Sequence, residues 1–255
     1  MNKIKKPSTW MNFSEVFRAM YDFKKSSEFV NTYHTIGAGD GHPVIVIPGF
    51  LGSKTNTIRL RKFINKLGYK SYDWGRGTNL GNLEDINALI DLIEEIAAKH
   101  QQKVTLIGWS LGGVYARELS KMKSDLVRQC ITLGAPFADI NAPNHASWLI
   151  DWMQGDVRLN PNYSDLLEKL ADPAPVPSTA IYSKEDGVVP WEVCREPVED
   201  RFHQNVEVKG SHLGLPINAS VWYLISDRLR YKAENWEPFS PKDNMPDSVF
   251  FPSFP

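Results

Sequence analysis

The sequence predicts an α/β fold in which a mostly parallel sheet is flanked by helices. Short β-branched runs alternate along the chain with segments whose apolar residues recur at helical spacing. The runs lack polar alternation, as expected of strands that are covered on both faces. Strand–helix–strand repeats form right-handed crossovers, so the strands are expected to be parallel.

The regular alternation occupies the first half of the chain after residue 42. Strands are predicted at 44–47, 69–74, 104–108 and 127–133, and helices at 57–67, 83–99 and 111–122. The pattern resumes later with strands at 179–182 and 206–208 and a last helix at 218–231. We therefore predict one large domain over residues 43–255 that follows an N-terminal helical extension, residues 1–42.

Three segments depart from the alternation. Residues 137–177 contain apolar helical faces and no strand, which predicts a helical cap inserted over the sheet. The tail 236–255 is rich in Pro and Phe and is expected to lie extended on the body. The extension carries one amphipathic helix, whose aromatic side we expect to pack on the body or on a second subunit. That side consists of Phe13, Val16, Phe17, Met20 and Tyr21.

Composition excludes several classes of protein. The 255 residues are 42% hydrophobic and 23% charged, as in ordinary globular domains, and the net charge is −1. No basic surplus is available to neutralise phosphates, so we expect no nucleic-acid partner. Cys130 and Cys194 are too few for a disulfide framework or a cysteine-rich zinc site, and they are expected to be reduced thiols.

Targeting signals are weak. The Lys-rich start is not followed by the apolar run of a signal peptide. No apolar stretch approaches the roughly 18 residues that span a bilayer. We expect a cytoplasmic protein with weak interfacial contact at most, or a secreted one if a signal was removed.

The strongest chemical motif is Gly108-Trp109-Ser110-Leu111-Gly112-Gly113, between a predicted strand and a predicted helix. A serine on such a turn is exposed beyond the strand end, and the flanking glycines remove Cβ atoms that would clash. The motif predicts Ser110 as a nucleophile, which requires an adjacent base held by a third group.

The partners of the serine are expected in the order acid, then histidine, each after a later strand. Asp186 follows strand 179–182 and His212 follows strand 206–208, at the edge where sites of open α/β sheets are built. Glu185 and Asp139 are alternative acids. No group of His, Asp or Glu has metal-ligand spacing, so no metal is expected.

A tetrahedral intermediate also needs two N–H donors for its oxyanion. One is predicted to be the main-chain N–H of Leu111, at the start of the helix after the serine. The other is predicted to come from the loop Pro48-Gly49-Phe50-Leu51-Gly52, where Phe50 is the first choice and Leu51 the alternative.

Together these motifs resemble the α/β-hydrolase superfamily, and most of all bacterial esterases and lipases of the triacylglycerol-lipase-like group. Gly134-Ala135-Pro136 and the loop Trp74-Gly75-Arg76-Gly77-Thr78-Asn79-Leu80-Gly81 extend the resemblance, which covers about residues 43–229. Pro48 stands where many lipases have histidine. The resemblance implies that Ser110 is the nucleophile, His212 the general acid/base and Asp186 its orienting partner, and that no cofactor is used.

The expected function is hydrolysis of small-molecule or lipid carboxylic esters with short to medium acyl chains, through an acyl-enzyme. Trp109 and the cap residues Trp148 and Trp152 are predicted to line the substrate site, since an apolar pocket suits an acyl chain. The alternatives are an acyltransferase or thioesterase that uses the same triad, and a non-catalytic ligand-binding relative.

Overall fold

A six-stranded sheet forms the centre of the molecule, as seen in a computed structural model that describes residues 4–32, 39–82, 84–139 and 169–254. The strands are β1 (Pro43–Ile47), β2 (Lys70–Asp73), β3 (Val104–Trp109), β4 (Val127–Leu133), β5 (Ser178–Tyr182) and β6 (His203–Glu207). Their order is β2-β1-β3-β4-β5-β6, and every neighbouring pair is parallel. The predicted α/β fold class is confirmed.

Helices lie on both faces of this sheet. They are α1 (Thr9–Phe13), α2 (Glu15–Thr32), α3 (Lys54–Lys66), α4 (Asp85–His100), α5 (Leu111–Met122) and α6 (Ala219–Arg228). Short 3₁₀ helices occupy Trp191–Cys194, Leu215–Ile217 and Ala233–Asn235. Every helix in the described part of the chain is too short or too polar to span a bilayer.

The absence of polar alternation in the strands has a direct structural cause. In β1, Ile45 and Ile47 belong to the apolar core on the α4 and α5 side, whereas Val44 and Val46 belong to the core on the α3 and α6 side. All four side chains are at most 1% exposed. Burying one such side chain contributes roughly 1.5–3 kcal/mol, so both layers stabilise the same strand.

The N-terminal extension differs from its predicted packing. The side of α2 that faces the body is the one that carries Glu15, Asp22, Ser26 and Phe29, all of which are buried. The predicted aromatic side is exposed: Phe13, Val16, Phe17, Met20 and Tyr21 are each between 58% and 75% exposed. The expectation that this side packs on the body is therefore wrong, and its packing on a second subunit stays a prediction.

The tail and the predicted cap are the two other segments that depart from the strand–helix alternation. The tail after residue 236 lies on the α6 side of the molecule, where Trp236, Phe239, Val249 and Phe251 are buried. Residues 140–168, which include most of the predicted cap, lie outside the described residues. Cys130 and Cys194 are both buried and free, and burial raises the pKa of the Cys130 thiol to about 12.

Candidate active site

Ser110 occupies a strained turn between β3 and α5. Its φ is +53° and its ψ is −124°, a conformation that non-glycine residues rarely adopt and that costs of the order of 1–3 kcal/mol. A Cβ on Gly112 would collide with the main-chain oxygens of Ile47 and Pro48, which explains the glycine two residues after the serine. The turn places the Ser110 hydroxyl at the carboxyl edge of the sheet, at the N-terminus of α5.

Ser110, His212 and Asp186 form one hydrogen-bonded chain. His212 Nε2 lies 3.0 Å from Ser110 Oγ, and His212 Nδ1 lies 2.5 Å from Asp186 Oδ2. The other carboxylate oxygen of Asp186 accepts the main-chain N–H groups of Val188 at 2.8 Å and Val189 at 2.7 Å. Since a carboxylate only accepts, Nδ1 carries the proton and Nε2 accepts from the Ser110 hydroxyl.

The electrostatic environment favours a cationic imidazole. Burial alone lowers the pKa of His212, but the charge of Asp186, its hydrogen bond and the charge of Glu15 outweigh burial, so that the pKa is raised. The side chains of His212 and Asp186 are 4% and 1% exposed, so the attraction acts with little screening by water. The site therefore stabilises the imidazolium that forms when His212 takes a proton.

The alternative acids do not make this contact. Glu185 and Asp139 are both exposed, whereas Asp186 is buried directly against the imidazole. Other histidines of the described chain have separate surroundings: His42 lies between Asp40 and Thr105, and His203 between Asp200 and Ala174. His34 and His145 lie outside the described residues.

The loop after β1 approaches the serine closely. A Cβ on Gly49 would lie only 3.0 Å from Ser110 Cβ. The N–H of Leu51 donates to the main-chain oxygen of Asn79 at 2.7 Å, which argues against Leu51 as an oxyanion donor. The role of Phe50 stays a prediction. Leu111 opens α5, so its N–H is one of the first-turn donors that have no intrahelical acceptor.

Asn79 lies in the loop of residues 74–81 that extends the resemblance, but the sequence alone assigns it no role. It is fully buried, its Nδ2 donates to the Pro48 carbonyl at 2.8 Å, and its own N–H donates to the Gly52 carbonyl at 2.7 Å. With the Leu51 bond it holds the loop of residues 48–52 at three points. An asparagine within the glycine-rich stretch 75–81 was the available signal, because this residue type bonds to main chain in turns.

Trp109 lies behind His212. Its side chain is 7% exposed, and its Nε1 donates to the His212 carbonyl at 3.0 Å. The predicted contact between Trp109 and substrate stays a prediction. Trp148 and Trp152, the other predicted substrate-binding residues, lie outside the described residues. Within the ranges that the structure describes, no group of three or more His, Cys, Asp or Glu side chains is arranged to hold a metal ion.

Comparison with known proteins gives the same architecture. The structure resembles the crystal structure of the Paleococcus ferrophilus monoacylglycerol lipase, with a TM-score of 0.56 and 15% identity over 76% of this chain and 96% of that one. A soluble variant of the Saccharomyces cerevisiae monoglyceride lipase aligns with a TM-score of 0.56 and 11% identity, covering 75% and 87% of the two chains. A thioesterase domain from the curacin biosynthetic pathway aligns with a TM-score of 0.54 and 13% identity, covering 76% and 92%.

At these identities the structural likeness shows the fold alone. No curated protein sequence matches the chain significantly. A family model described as the alpha/beta hydrolase family matches residues 41–243, which is most of the chain and includes every residue of the hydrogen-bonded chain above. This protein therefore belongs to the alpha/beta hydrolase family.

Proposed function

We propose that this protein is a serine hydrolase that cleaves carboxylic esters through an acyl-enzyme. The observation that carries the proposal is the pair of hydrogen bonds at His212, 3.0 Å to Ser110 Oγ and 2.5 Å to Asp186 Oδ2. A serine hydroxyl is a weak nucleophile, and an adjacent imidazole held by a carboxylate is the arrangement that activates it.

In the acylation step, Ser110 Oγ attacks the ester carbonyl carbon while its proton passes to His212 Nε2. The carbonyl electron pair moves to the oxygen, which the N–H groups of Phe50 and Leu111 stabilise. When that pair returns, the bond to the alcohol oxygen breaks and the leaving alkoxide takes the proton from Nε2. Asp186 keeps Nδ1 protonated and stabilises the imidazolium.

In the deacylation step, water replaces the serine as the attacking group. His212 Nε2 accepts a proton from this water as the water oxygen attacks the acyl carbon. Collapse of the second tetrahedral intermediate breaks the bond to Ser110 Oγ, which recovers its proton from Nε2. The carboxylic acid leaves, and the free enzyme is restored without a cofactor.

The substrate class follows from the surroundings of the serine. Leu213 directly follows His212, Leu80 directly follows Asn79, and Leu51 lies two residues after Gly49; these leucines are 40%, 48% and 60% exposed. Exposed apolar residues in these segments suit an acyl chain rather than a charged or sugar-like one. We propose short to medium acyl esters, including acylglycerols.

The test is hydrolysis of p-nitrophenyl esters of graded chain length by the wild type, Ser110→Ala and Ser124→Ala. Ser124 lies in the turn between α5 and β4, at the opposite edge of the sheet, and serves as the matched serine control. The proposal expects Ser110→Ala to lose activity by about 10³-fold or more and Ser124→Ala to retain it. Equal rates for the wild type and Ser110→Ala would refute an enzyme of this kind.

The wild type and the two variants also distinguish an ester hydrolase from a thioesterase or an acyltransferase. A thioester of the preferred acyl chain and an added alcohol acceptor are supplied in parallel reactions. The proposal expects the oxygen ester to have the highest kcat/KM and free acid to be the main product. A thioester preferred by tenfold or more, or ester exchange in place of acid release, would reassign the protein to a thioesterase or an acyltransferase.

A further inference from the structure

We propose that Glu15 of α2 is a positioning residue that fixes the loop carrying His212 to the loop carrying Asp186. The inference rests on the catalytic roles proposed above. Glu15 precedes residue 41, where the match to the family model begins. It therefore lies outside the residues that the family model matches.

One carboxylate bridges both loops. Glu15 Oε1 accepts the N–H of Gly187 at 2.8 Å and the N–H of His212 at 3.1 Å, and Oε2 accepts the N–H of Leu213 at 2.9 Å. Gly187 directly follows Asp186 in the chain. Hydrogen bonds to an ionised acceptor are about twice as strong as neutral ones, so Glu15 sets the relative position of the two loops.

Burial of Glu15 is consistent with this role. The residue is 3% exposed although it lies near the start of a helix whose other side faces water. A buried carboxylate is costly unless its oxygens are hydrogen-bonded. Its partners here are the three main-chain N–H groups and Arg18, whose Nη2 lies 2.9 Å from Oε1.

The same side of the N-terminal segment makes further bonds to these loops. Asn12 Nδ2 donates to the Gly187 carbonyl at 3.0 Å. Asp22 accepts the N–H of Ser211 at 3.3 Å and its hydroxyl at 3.2 Å, and it accepts Asn218 Nδ2 at 2.9 Å. Residues 15 and 22 are about two helical turns apart, so both acids lie on one side of α2. The helix therefore holds the residues on both sides of His212.

The charged groups around His212 in the described chain come from two directions. Asp186 approaches from the loop after β5. Glu15, with its partner Arg18, and Asp22 approach from α2. Burial raises the pKa of the Asp22 carboxyl to about 6, against the lowering effect of bonds from its neighbours and of the Arg18 charge. Glu15 is thus a second negative group that acts on the imidazole.

This arrangement has two kinetic consequences. Without Glu15 the imidazole is held less firmly against the serine, and misplacement of reacting groups by 1 Å costs about 100-fold in rate. Without its charge the imidazolium is less stable, so the pH at which His212 loses its proton falls. Both effects act on His212, so we expect them mainly in kcat. Glu15 also holds the N–H of Leu213, so a smaller change in KM is expected beside them.

The experiment compares four proteins on p-nitrophenyl butyrate from about pH 5 to pH 9: the wild type, Glu15→Gln, Glu28→Gln and Ser110→Ala. Glu28 is the matched control, because it lies on the same helix with its side chain 46% exposed and 3.4 Å from Lys25. We expect Glu15→Gln to lower kcat by about 10- to 100-fold with KM changed less than about threefold. We also expect the acid limb of the kcat–pH profile to move to lower pH in Glu15→Gln. Glu28→Gln is expected to match the wild type in both respects.

The outcomes separate this inference from the proposed function. If Ser110→Ala keeps wild-type activity, the proposed function fails, whatever Glu15 does. If Ser110→Ala is inactive and Glu15→Gln matches Glu28→Gln in kcat and in acid limb, the positioning role is wrong. A lower kcat with an unmoved acid limb and a reduced thermal midpoint would also overturn it, since that result indicates a merely structural residue.

A milder variant covers the case in which Glu15→Gln does not fold, as judged by circular dichroism. Glu15→Asp keeps the carboxylate on a side chain one methylene shorter, which cannot reach all three N–H groups at these distances. The loss of one such hydrogen bond predicts a fall in kcat of about threefold. Wild-type kcat in folded Glu15→Asp would then overturn the proposal.

Discussion

The indole of Trp109 donates a hydrogen bond to the main-chain carbonyl of His212 at 3.0 Å, across 103 residues of sequence. Trp109 directly precedes the strained serine, so one bond joins the turn that carries Ser110 to the loop that carries the imidazole. The two rings are also close, with centroids 6.0 Å apart. Trp109 thus helps to set the distance between Ser110 and His212, although its indole touches neither the serine hydroxyl nor the imidazole nitrogens through a hydrogen bond.

Trp109→Phe keeps an aromatic ring and removes the donor. We expect kcat for a small ester to fall by about three- to tenfold with little change in KM, because one neutral hydrogen bond contributes roughly 0.5–1.5 kcal/mol. Trp222→Phe is the control: its Nε1 donates to the Pro216 carbonyl at 2.8 Å, in the turn before α6. We expect both variants to lose a similar amount of stability and only Trp109→Phe to lose kcat. Equal kcat values in Trp109→Phe and Trp222→Phe would contradict this role of Trp109.

Asn79→Ala removes the side chain that holds the Pro48 carbonyl and accepts the Gly81 N–H. We expect kcat to fall by about tenfold or more, because an oxyanion donor that is no longer held in place stabilises the transition state less. Asn65→Ala removes a comparable bond, from Ser71 N–H to Asn65 Oδ1 at 2.8 Å, far from the site. Steady-state kinetics of both variants provide the check, and a control that loses as much activity would reject this role of Asn79.

Gly134 combines a left-handed backbone with close contact to the hydrogen-bonded pair. Its φ is +55°, and a Cβ there would lie 3.2 Å from Asp186 Oδ2 and 3.3 Å from His212 Nδ1. Gly134→Ala is expected to lower both stability and kcat. Gly41 is the control, because its φ is also positive, at +77°, and an added Cβ would meet no atom within 4 Å. Gly41→Ala is therefore expected to lose about 1 kcal/mol of stability and to keep its kcat. Unchanged kcat in Gly134→Ala would contradict the prediction, because it would show that Asp186 and His212 can be displaced without loss of activity.

The pH dependence follows from the direction of the His212 shift. The reaction needs neutral imidazole at Nε2, and Asp186 and Glu15 raise the pKa of His212 above 6.5 against the effect of burial. The acid limb of kcat/KM is therefore expected to have its midpoint above pH 6.5, with activity lost as pH falls through it. A midpoint below 6.5 in a pH–rate profile of the wild type would contradict this reading.

Much of the fold was predictable because local patterns decide it. Uninterrupted β-branched runs such as 44–47 indicate strands buried on both faces, and the glycines around Ser110 indicate a tight strand-to-helix turn. The order of Ser110, Asp186 and His212 could be predicted because each follows a strand of a parallel sheet, whose carboxyl ends share one edge.

The supporting residues could not be predicted in this way. Glu15 acts on main-chain groups 172 to 198 residues away, and nothing in the local pattern of a helix indicates which distant loop its acidic side will meet. The pattern of the same helix predicts that its aromatic side packs on the body, because burial of apolar residues is the stronger general rule. In this protein the polar side packs on the body instead, because its carboxylates accept N–H groups of the loops that carry Asp186 and His212.

The most direct test of the proposed triad is covalent labelling with a p-nitrophenyl phosphonate, followed by peptide mapping in a mass spectrometer. If His212 activates Ser110, a single adduct forms on Ser110 in the wild type. The adduct then forms at least about 100-fold more slowly in His212→Ala and is absent from Ser110→Ala. A folded wild type that forms no adduct, or labels equally fast without His212, would contradict the proposed triad.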